Sequence, residues 1–151
     1  MDARSAPALL RSLPSWLLNQ TALLANQSVG RRLAEAGAHR YHVSMLAALQ
    51  ESGPTSQAEL GRRCGLDRSD VTAAVTDLAE RGFVERGPDP LDRRRNTVHL
   101  TEAGARRLGE LQEAVGEAHE ELLAPLDTQE RNDLARLLTR VLDGRTGRPG
   151  A

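Results

Sequence analysis

The stretch from Ser56 to Leu100 leaves this chain few folds to choose from. Ser56-Gln57-Ala58-Glu59 opens a brief helix that runs to about Cys64 and is closed by Gly65. Asp67-Arg68-Ser69-Asp70 opens a second, through Val71, Val75 and Leu78 to Arg81, with Gly82 at its end. A Ser or Asp cap followed by an acid at the third helical position satisfies amides that the first turn leaves unpaired; Glu59 is expected to reach back to the cap. Glycine just past the last turn takes the left-handed conformation that stops a helix. Two helices this short, joined by a turn at Gly65, read as a helix-turn-helix. Phe83-Val84-Glu85-Arg86 then reads as a short strand and Asn96-Thr97-Val98-His99-Leu100 alternates like one, with Gly87-Pro88-Asp89-Pro90 as loop between them. A hairpin attached to the second helix is a wing, so the unit reads as a winged helix.

The flanks are helical. Residues from Leu13 to about Ala36 carry apolar side chains at Leu13, Trp16, Leu17, Leu23, Leu24 and Leu33, with Pro14 suited to a first turn and Gly37 to a stop. His39 to Gln50 forms another helix containing Tyr41, Val43, Met45, Leu46 and Leu49, broken by Ser52-Gly53-Pro54. Thr101 starts a long helix with a stripe at Leu108, Leu111, Val115, Ala118 and Leu122. Pro125 interrupts it, and Asp127-Thr128-Gln129-Glu130 caps a last helix striped by Leu134, Leu137, Leu138, Val141 and Leu142. Arg145 to Ala151 reads as a disordered tail. The fold class is mainly α with a small β-hairpin wing.

Twenty basic residues, all arginine, nearly balance 21 acidic ones, and the net charge is −1. That excludes a protein basic all over, so any nucleic-acid contact has to come from a local patch. The sequence DPLDRRRNTVHL (residues 89–100) is such a patch: Arg93, Arg94 and Arg95 follow a turn signal at the hairpin tip. Asp92 is close enough to pair with Arg94 and orient its guanidinium, which allows a cationic point on a neutral chain. A narrow minor groove favours an inserted arginine. The plainer alternative is a solvated basic turn.

Other chemistries have little support. Cys64 stands alone, which excludes an internal disulfide and a Cys-based metal cluster, and it reads as a small core residue. His39, His42, His99 and His119 are too scattered for a ligand motif, so neither a metal nor a cofactor is expected. No nucleophile–base pairing, phosphate loop or paired carboxylates suggests an enzyme. The N-terminus lacks a signal-peptide layout, and no apolar run approaches the ~20 residues needed to cross a bilayer, so a cytoplasmic protein without membrane association is expected.

The chain resembles the MarR family of bacterial transcriptional regulators from about Leu9 to Leu142. The resemblance rests on Asp92-x-Arg94 followed by Val98-x-Leu100-Thr101-x-x-Gly104, and on Leu78-x-x-x-Gly82-Phe83-Val84-x-Arg86 before it. It implies a ligand-responsive regulator, a repressor by family default, binding palindromic double-stranded DNA as a homodimer. Residues 1–36 and 105–144 would form the helical dimerisation region, 37–104 the winged DNA-binding domain and 145–151 the tail. Leu13, Leu122, Leu134, Leu137, Leu138 and Val141 are the candidates for the dimer interface.

The helix after Asp67 would then read DNA through Arg68, Ser69, Thr72 and Thr76, with Ser56 and Gln57 addressing a phosphate from the preceding helix. Relatives often carry Arg or Lys near Ala73 and Asp77, and this chain does not. That departure leaves an alternative open, a winged-helix module that binds protein and reads little DNA sequence. The resemblance also implies a small aromatic or anionic effector in a cleft between the dimer helices and the lobe. Trp16, Asn19, Leu23, Tyr41, His42 and Met45 are the residues able to line it, although Trp16 and Met45 equally suit a core and His42 a helix cap.

Overall fold

The computed structural model describes residues 3–146. After one 3-10 turn (Ala3–Ser5) come α1 (Ala8–Arg11), α2 (Pro14–Glu35), α3 (Arg40–Ser52), α4 (Gln57–Cys64) and α5 (Arg68–Glu80). The antiparallel strands β1 (Val84–Pro88) and β2 (Asn96–Leu100) follow, then α6 (Glu102–Leu122) and α7 (Thr128–Thr146). The chain is mainly helical, with a hairpin wing on a helix-turn-helix.

The caps form largely as the sequence implies. Ser56 Oγ accepts from the Glu59 amide at 3.2 Å, and the Asp67 carboxylate accepts from the Asp70 amide at 2.9 Å. Thr101 Oγ1 accepts from the Gly104 amide at 3.0 Å. At α7 the capping is reciprocal: the Glu130 amide donates to Asp127 at 2.8 Å and the Asp127 amide to Glu130 at 2.9 Å. Gly65 ends α4 in the left-handed region, with φ at 65°. Glu59 departs from expectation, because its carboxylate pairs with Arg62 one turn along rather than reaching back.

Three boundaries also differ. Leu13 is the extended cap of α2 rather than its first residue, because a residue before proline is driven out of the helical region. β1 continues through Gly87 and Pro88, which read as loop; Pro88 sits at the last rung, opposite Asn96, where a missing donor does little harm. α7 extends through Arg145 and Thr146, and the rest of the tail expected to be disordered, 147–151, lies outside the described residues.

One continuous core joins Leu33 of α2, Met45, Leu46 and Leu49 of α3, Leu60 of α4, Val71, Val75 and Leu78 of α5, Val84 and Val98 of the hairpin, and Leu108 and Leu111 of α6. The wing is fixed to this lobe twice. Val84 and Val98 are buried, and Val98 exchanges two backbone bonds with Thr55, at 2.8 and 3.2 Å, ahead of α4. Further out, α2 packs on α6, tied by Ser28 Oγ to the Ala118 carbonyl at 3.4 Å and by Arg31 and Arg32 to Glu121.

The outer helices leave apolar surface uncovered. Leu9, Leu13, Leu17, Leu18, Leu23 and Leu24 are exposed around α1 and α2, and Leu137, Leu138, Val141 and Leu142 on α7. A groove of about 680 Å³ runs between α2, α6 and α7, walled by Leu17, Leu18, Leu122, Leu134 and Leu138.

Candidate nucleic-acid interface

Helix α5 buries Val71, Ala74, Val75 and Leu78, spaced as one face of a helix. The opposite face therefore presents Arg68, Ser69, Thr72 and Ala73 to solvent, with Thr76 half-buried at its edge. Its seat on α4 is tight at Gly61. A β-carbon there would come within 2.6 Å of Val71 Cγ2 and 3.3 Å of the Leu66 carbonyl, so only glycine admits this approach.

The polar residues of this face are organised. Ser69 Oγ donates to the Asp67 carboxylate at 2.9 Å, and Thr72 Oγ1 donates to the Arg68 carbonyl at 2.8 Å. Gln57 Nε2 of α4 donates to Thr72 Oγ1 at 2.8 Å, which brings Gln57 and Thr72 into one cluster. Ser56 is occupied as the α4 cap and lies beside them in sequence. Arg86 of β1, absent from the residues singled out by sequence, donates to Thr76 Oγ1 at 2.8 Å. It stood in the motif that carried the resemblance. Strand alternation puts it on the side of buried Val84, facing α5, and that signal could have found it.

The hairpin tip is a built turn. The Asp89 amide donates to the Arg95 carbonyl at 2.7 Å, the Arg95 amide to the Asp92 carbonyl at 3.0 Å, and the Leu91 amide to the Asp89 carboxylate at 2.9 Å. Asp92 Oδ1 accepts from both the amide and Nε of Arg94, each at 3.1 Å. The Arg94 side chain nevertheless remains 91% exposed, held at its base and free at its end. Bonding to the Arg94 side chain and then to its amide keeps the Asp92 carboxyl below its ordinary pKa. Arg93 and Arg95 flank it, also exposed.

Asp77 faces away from this surface. Its carboxylate lies 3.0 Å from His42 Nε2 of α3 and 3.2 Å from Arg81 Nε, and Arg81 in turn donates to the Gly37 carbonyl at 2.8 Å. His42 Nδ1 accepts the His39 amide at 3.2 Å, while His39 Nδ1 accepts the Tyr41 amide at 3.3 Å. With Nδ1 an acceptor, His42 is the neutral tautomer whose Nε2–H donates to Asp77. Burial lowers the His42 pKa; Asp77 opposes this, while Arg81, His39 and Arg107 reinforce it. The joint between α2 and α3 is thus fastened to the C-terminal end of α5. Asp77 is engaged with the lobe and does not stand where a DNA-facing cation would.

Of the effector candidates, His42 and Met45 are buried, Met45 completely, and Tyr41 is half-buried beside His39. Trp16 is half-buried while Asn19 and Leu23 are exposed on α2. Leu33 marks where α2 enters the lobe, and at 1.5 Å per residue Trp16 lies ~25 Å further out along the helix. A single chain therefore does not bring the six together. Of the interface candidates, Leu13, Leu137, Leu138 and Val141 are exposed, whereas Leu122 and Leu134 are half-buried in the groove walls. Cys64 is half-buried against the core, and burial pushes its thiol up despite neighbouring Arg63. No helix among the described residues is long and apolar enough to cross a membrane.

The lobe has the parts of a winged helix, and solved regulators share that fold. Residues 37–95 match the family model described as the MarR family. The chain is 36% identical over 98 residues to the HTH-type transcriptional repressor NicR of Pseudomonas putida, covering 65% of this chain and 62% of that one, so less than two thirds of the repressor's length is matched. The crystal structure of a probable transcriptional regulator from Pseudomonas aeruginosa superposes with a TM-score of 0.69 at 33% identity, covering 87% of this chain and 98% of that one. The PcaV transcriptional regulator of Streptomyces coelicolor, solved in complex with its natural ligand, gives a TM-score of 0.65 at 30% identity, with coverage of 91% and 97%. With the lobe matched by the family model and nearly the whole chain by solved regulators, this protein belongs to the MarR family of transcriptional regulators.

Proposed function

We propose that this chain is a ligand-responsive repressor that binds a palindromic site on double-stranded DNA as a homodimer in the cytoplasm. The observation that carries the reading is the joint presentation of α5 and the wing on one rigid lobe, with Arg94 fixed at its base by Asp92 and exposed at its tip. A helix of this size fits a major groove, and the hairpin then falls on the adjacent minor groove. Direct base contacts come from Arg68, Ser69 and Thr72, with Thr76 behind them and Ser56 and Gln57 addressing a phosphate. Arg93, Arg94 and Arg95 supply groove and phosphate contacts.

The uncovered leucines support self-association. Burying one Leu fully is worth roughly 1.5–3 kcal/mol, and the exposed apolar residues of α1, α2 and α7 would recover that against a second copy. Two lobes related by a two-fold axis call for half-sites about one helical turn apart. PcaV, with its natural ligand bound, supports an effector response. A small aromatic or anionic effector would meet Trp16, Asn19, Leu23 and Tyr41 directly, and would act on His42 and Met45 from outside the core.

The test is retention of genomic fragments, including the chain's own upstream region, by the purified protein at two salt concentrations. Selective retention that weakens with salt is expected, because phosphate contacts release counterions. Equal retention of every fragment, or none, would favour a protein-interaction module.

A further inference from the structure

We propose that the cleft between the start of α4 and the wing, beside α5, is a phosphate clamp, with Arg86 as its charged anchor, Gln57 and Asn96 as neutral donors, and Thr76 of α5 as the hydroxyl that positions the arginine. This rests on the DNA-binding reading above. When a recognition helix occupies the major groove and its wing the neighbouring minor groove, one sugar–phosphate strand separates the two grooves. That strand has to pass between helix and hairpin. Alongside α5, and joined to it by the Gln57–Thr72 and Arg86–Thr76 bonds, the chain holds a cleft of about 190 Å³ between the start of α4 and the hairpin, lined by Gln57, Arg86, Gly87, Asn96, Thr97 and Val98.

The chemistry of the cleft suits a phosphodiester. Arg86 reaches it from β1, opposite Val98 in the register, and Val98 is both buried and bonded to Thr55, so the arginine's backbone is fixed. One guanidinium N–H is given to Thr76 Oγ1 at 2.8 Å. A guanidinium carries five N–H donors in a planar fork, so the others remain for an anion. Several arginines elsewhere are neutralised: Arg31, Arg32, Arg63, Arg81, Arg107 and Arg131 each pair with a carboxylate. Among the described residues no carboxylate pairs with Arg86. Gln57 comes from α4, held on Thr72, and Asn96 from the first rung of β2. The cleft thus draws donors from three elements and offers one unpaired positive charge.

A phosphate anchor positions the protein without reading sequence. It also supplies charge that the α5 surface itself lacks beyond Arg68. The labour is then divided: Arg86 sets affinity and salt dependence, while α5 and the wing tip set preference among sequences.

The experiment compares the full-length protein with Arg86→Gln, Arg86→Lys and Thr76→Val, titrated on a retained fragment and on an unrelated duplex over a salt series. Arg86→Gln is expected to bind both DNAs about tenfold more weakly. Its plot of log affinity against log salt should flatten by ~0.9 for each cleft engaged. The preference for the retained fragment should be unchanged. Arg86→Lys and Thr76→Val keep the charge and should keep the slope, with smaller losses of affinity. An unchanged slope in Arg86→Gln, or a loss confined to the retained fragment, overturns the clamp. Should Arg86→Gln fail to fold, a flattened slope in Arg86→Lys overturns it and a retained slope with weakened binding supports it. A wild-type protein whose affinity for DNA does not depend on salt would instead sink the DNA-binding reading itself.

Discussion

The contact between Gly61 and Val71 sets where the recognition helix sits, and one methyl group tests it. Gly61 lies inside α4, so Gly61→Ala gains about 1 kcal/mol of helix propensity. Against this, the new β-carbon would stand 2.6 Å from Val71 Cγ2 and 3.3 Å from the Leu66 carbonyl. Val71 is 3% exposed and β-branched, so it cannot turn aside without entering the core. Overpacking of this kind costs about 1–3 kcal/mol, and a clash with a stiff neighbour belongs near the top of that range. The net loss is then about 2 kcal/mol. Gly109 is the control: it is exposed within α6, nothing lies within 4 Å of an added β-carbon, and Gly109→Ala should gain about 1 kcal/mol. The two variants should differ by ~3 kcal/mol, or roughly 6–12 °C in Tm for a chain of this size. Calorimetry on both, together with a Gly61→Ala/Val71→Ala double variant, completes the assay. The double variant should lose less than the sum of its parts, since Val71→Ala removes the obstructing methyl. Equal melting temperatures for the two glycine variants, or strict additivity in the double variant, would refute the steric argument.

Further perturbations probe other parts of the molecule. Arg94→Ala should weaken DNA binding by ~1–3 kcal/mol if the guanidinium enters a groove, and Asp92→Ala should weaken it less by freeing the same group; anisotropy titrations that leave both at wild-type affinity would remove the wing from the interface. Leu138→Glu places a charge in the groove wall between α2, α6 and α7 and should shift a dimer toward monomer on sedimentation, whereas an intact dimer would put Leu138 outside the interface. The buried His42 should make stability depend on pH. Its pKa in the folded chain lies below the ordinary 6.5, so on acidification the unfolded chain takes up the proton first. Stability is therefore full above pH 6.5 and falls as pH drops through that value toward the folded pKa. Asp67 and Asp92, both held below 3.8, titrate under this window. Melting temperatures between about pH 8 and pH 5 should show the loss, and His42→Gln should flatten it; an identical slope in that variant would place the titration elsewhere.

Local chemistry made much of this fold legible. Caps at Ser56, Asp67, Thr101 and Asp127 act within three residues of themselves, so the helix starts could be read directly. The Asp92–Arg94 pair spans two positions and was equally visible. What escaped was long-range. His42 of α3 meets Asp77 of α5 with α4 intervening in the chain, and nothing in the surrounding residues announces that partnership. The consequence reaches function, because Asp77 looked like a missing DNA contact and is instead part of the fastening between the α2–α3 joint and α5. Arg86 escaped for a related reason: its meaning comes from Thr76, which lies on a different element. The effector candidates scattered because a helix as long as α2 carries Trp16 far from the lobe, a length that periodicity gives and a contact it does not.

The proposed function turns on α5 and the wing forming one DNA-binding face, presented twice by a dimer. Hydroxyl-radical footprinting of the purified protein on a fragment it retains tests this most directly, because it maps protection of the sugar–phosphate backbone along both strands at once. Two protected half-sites about one helical turn apart on one face of the duplex are expected, each with a flanking minor-groove protection that disappears in Arg94→Ala. Protection of a single uninterrupted stretch, or a footprint that Arg94→Ala leaves intact, would contradict it.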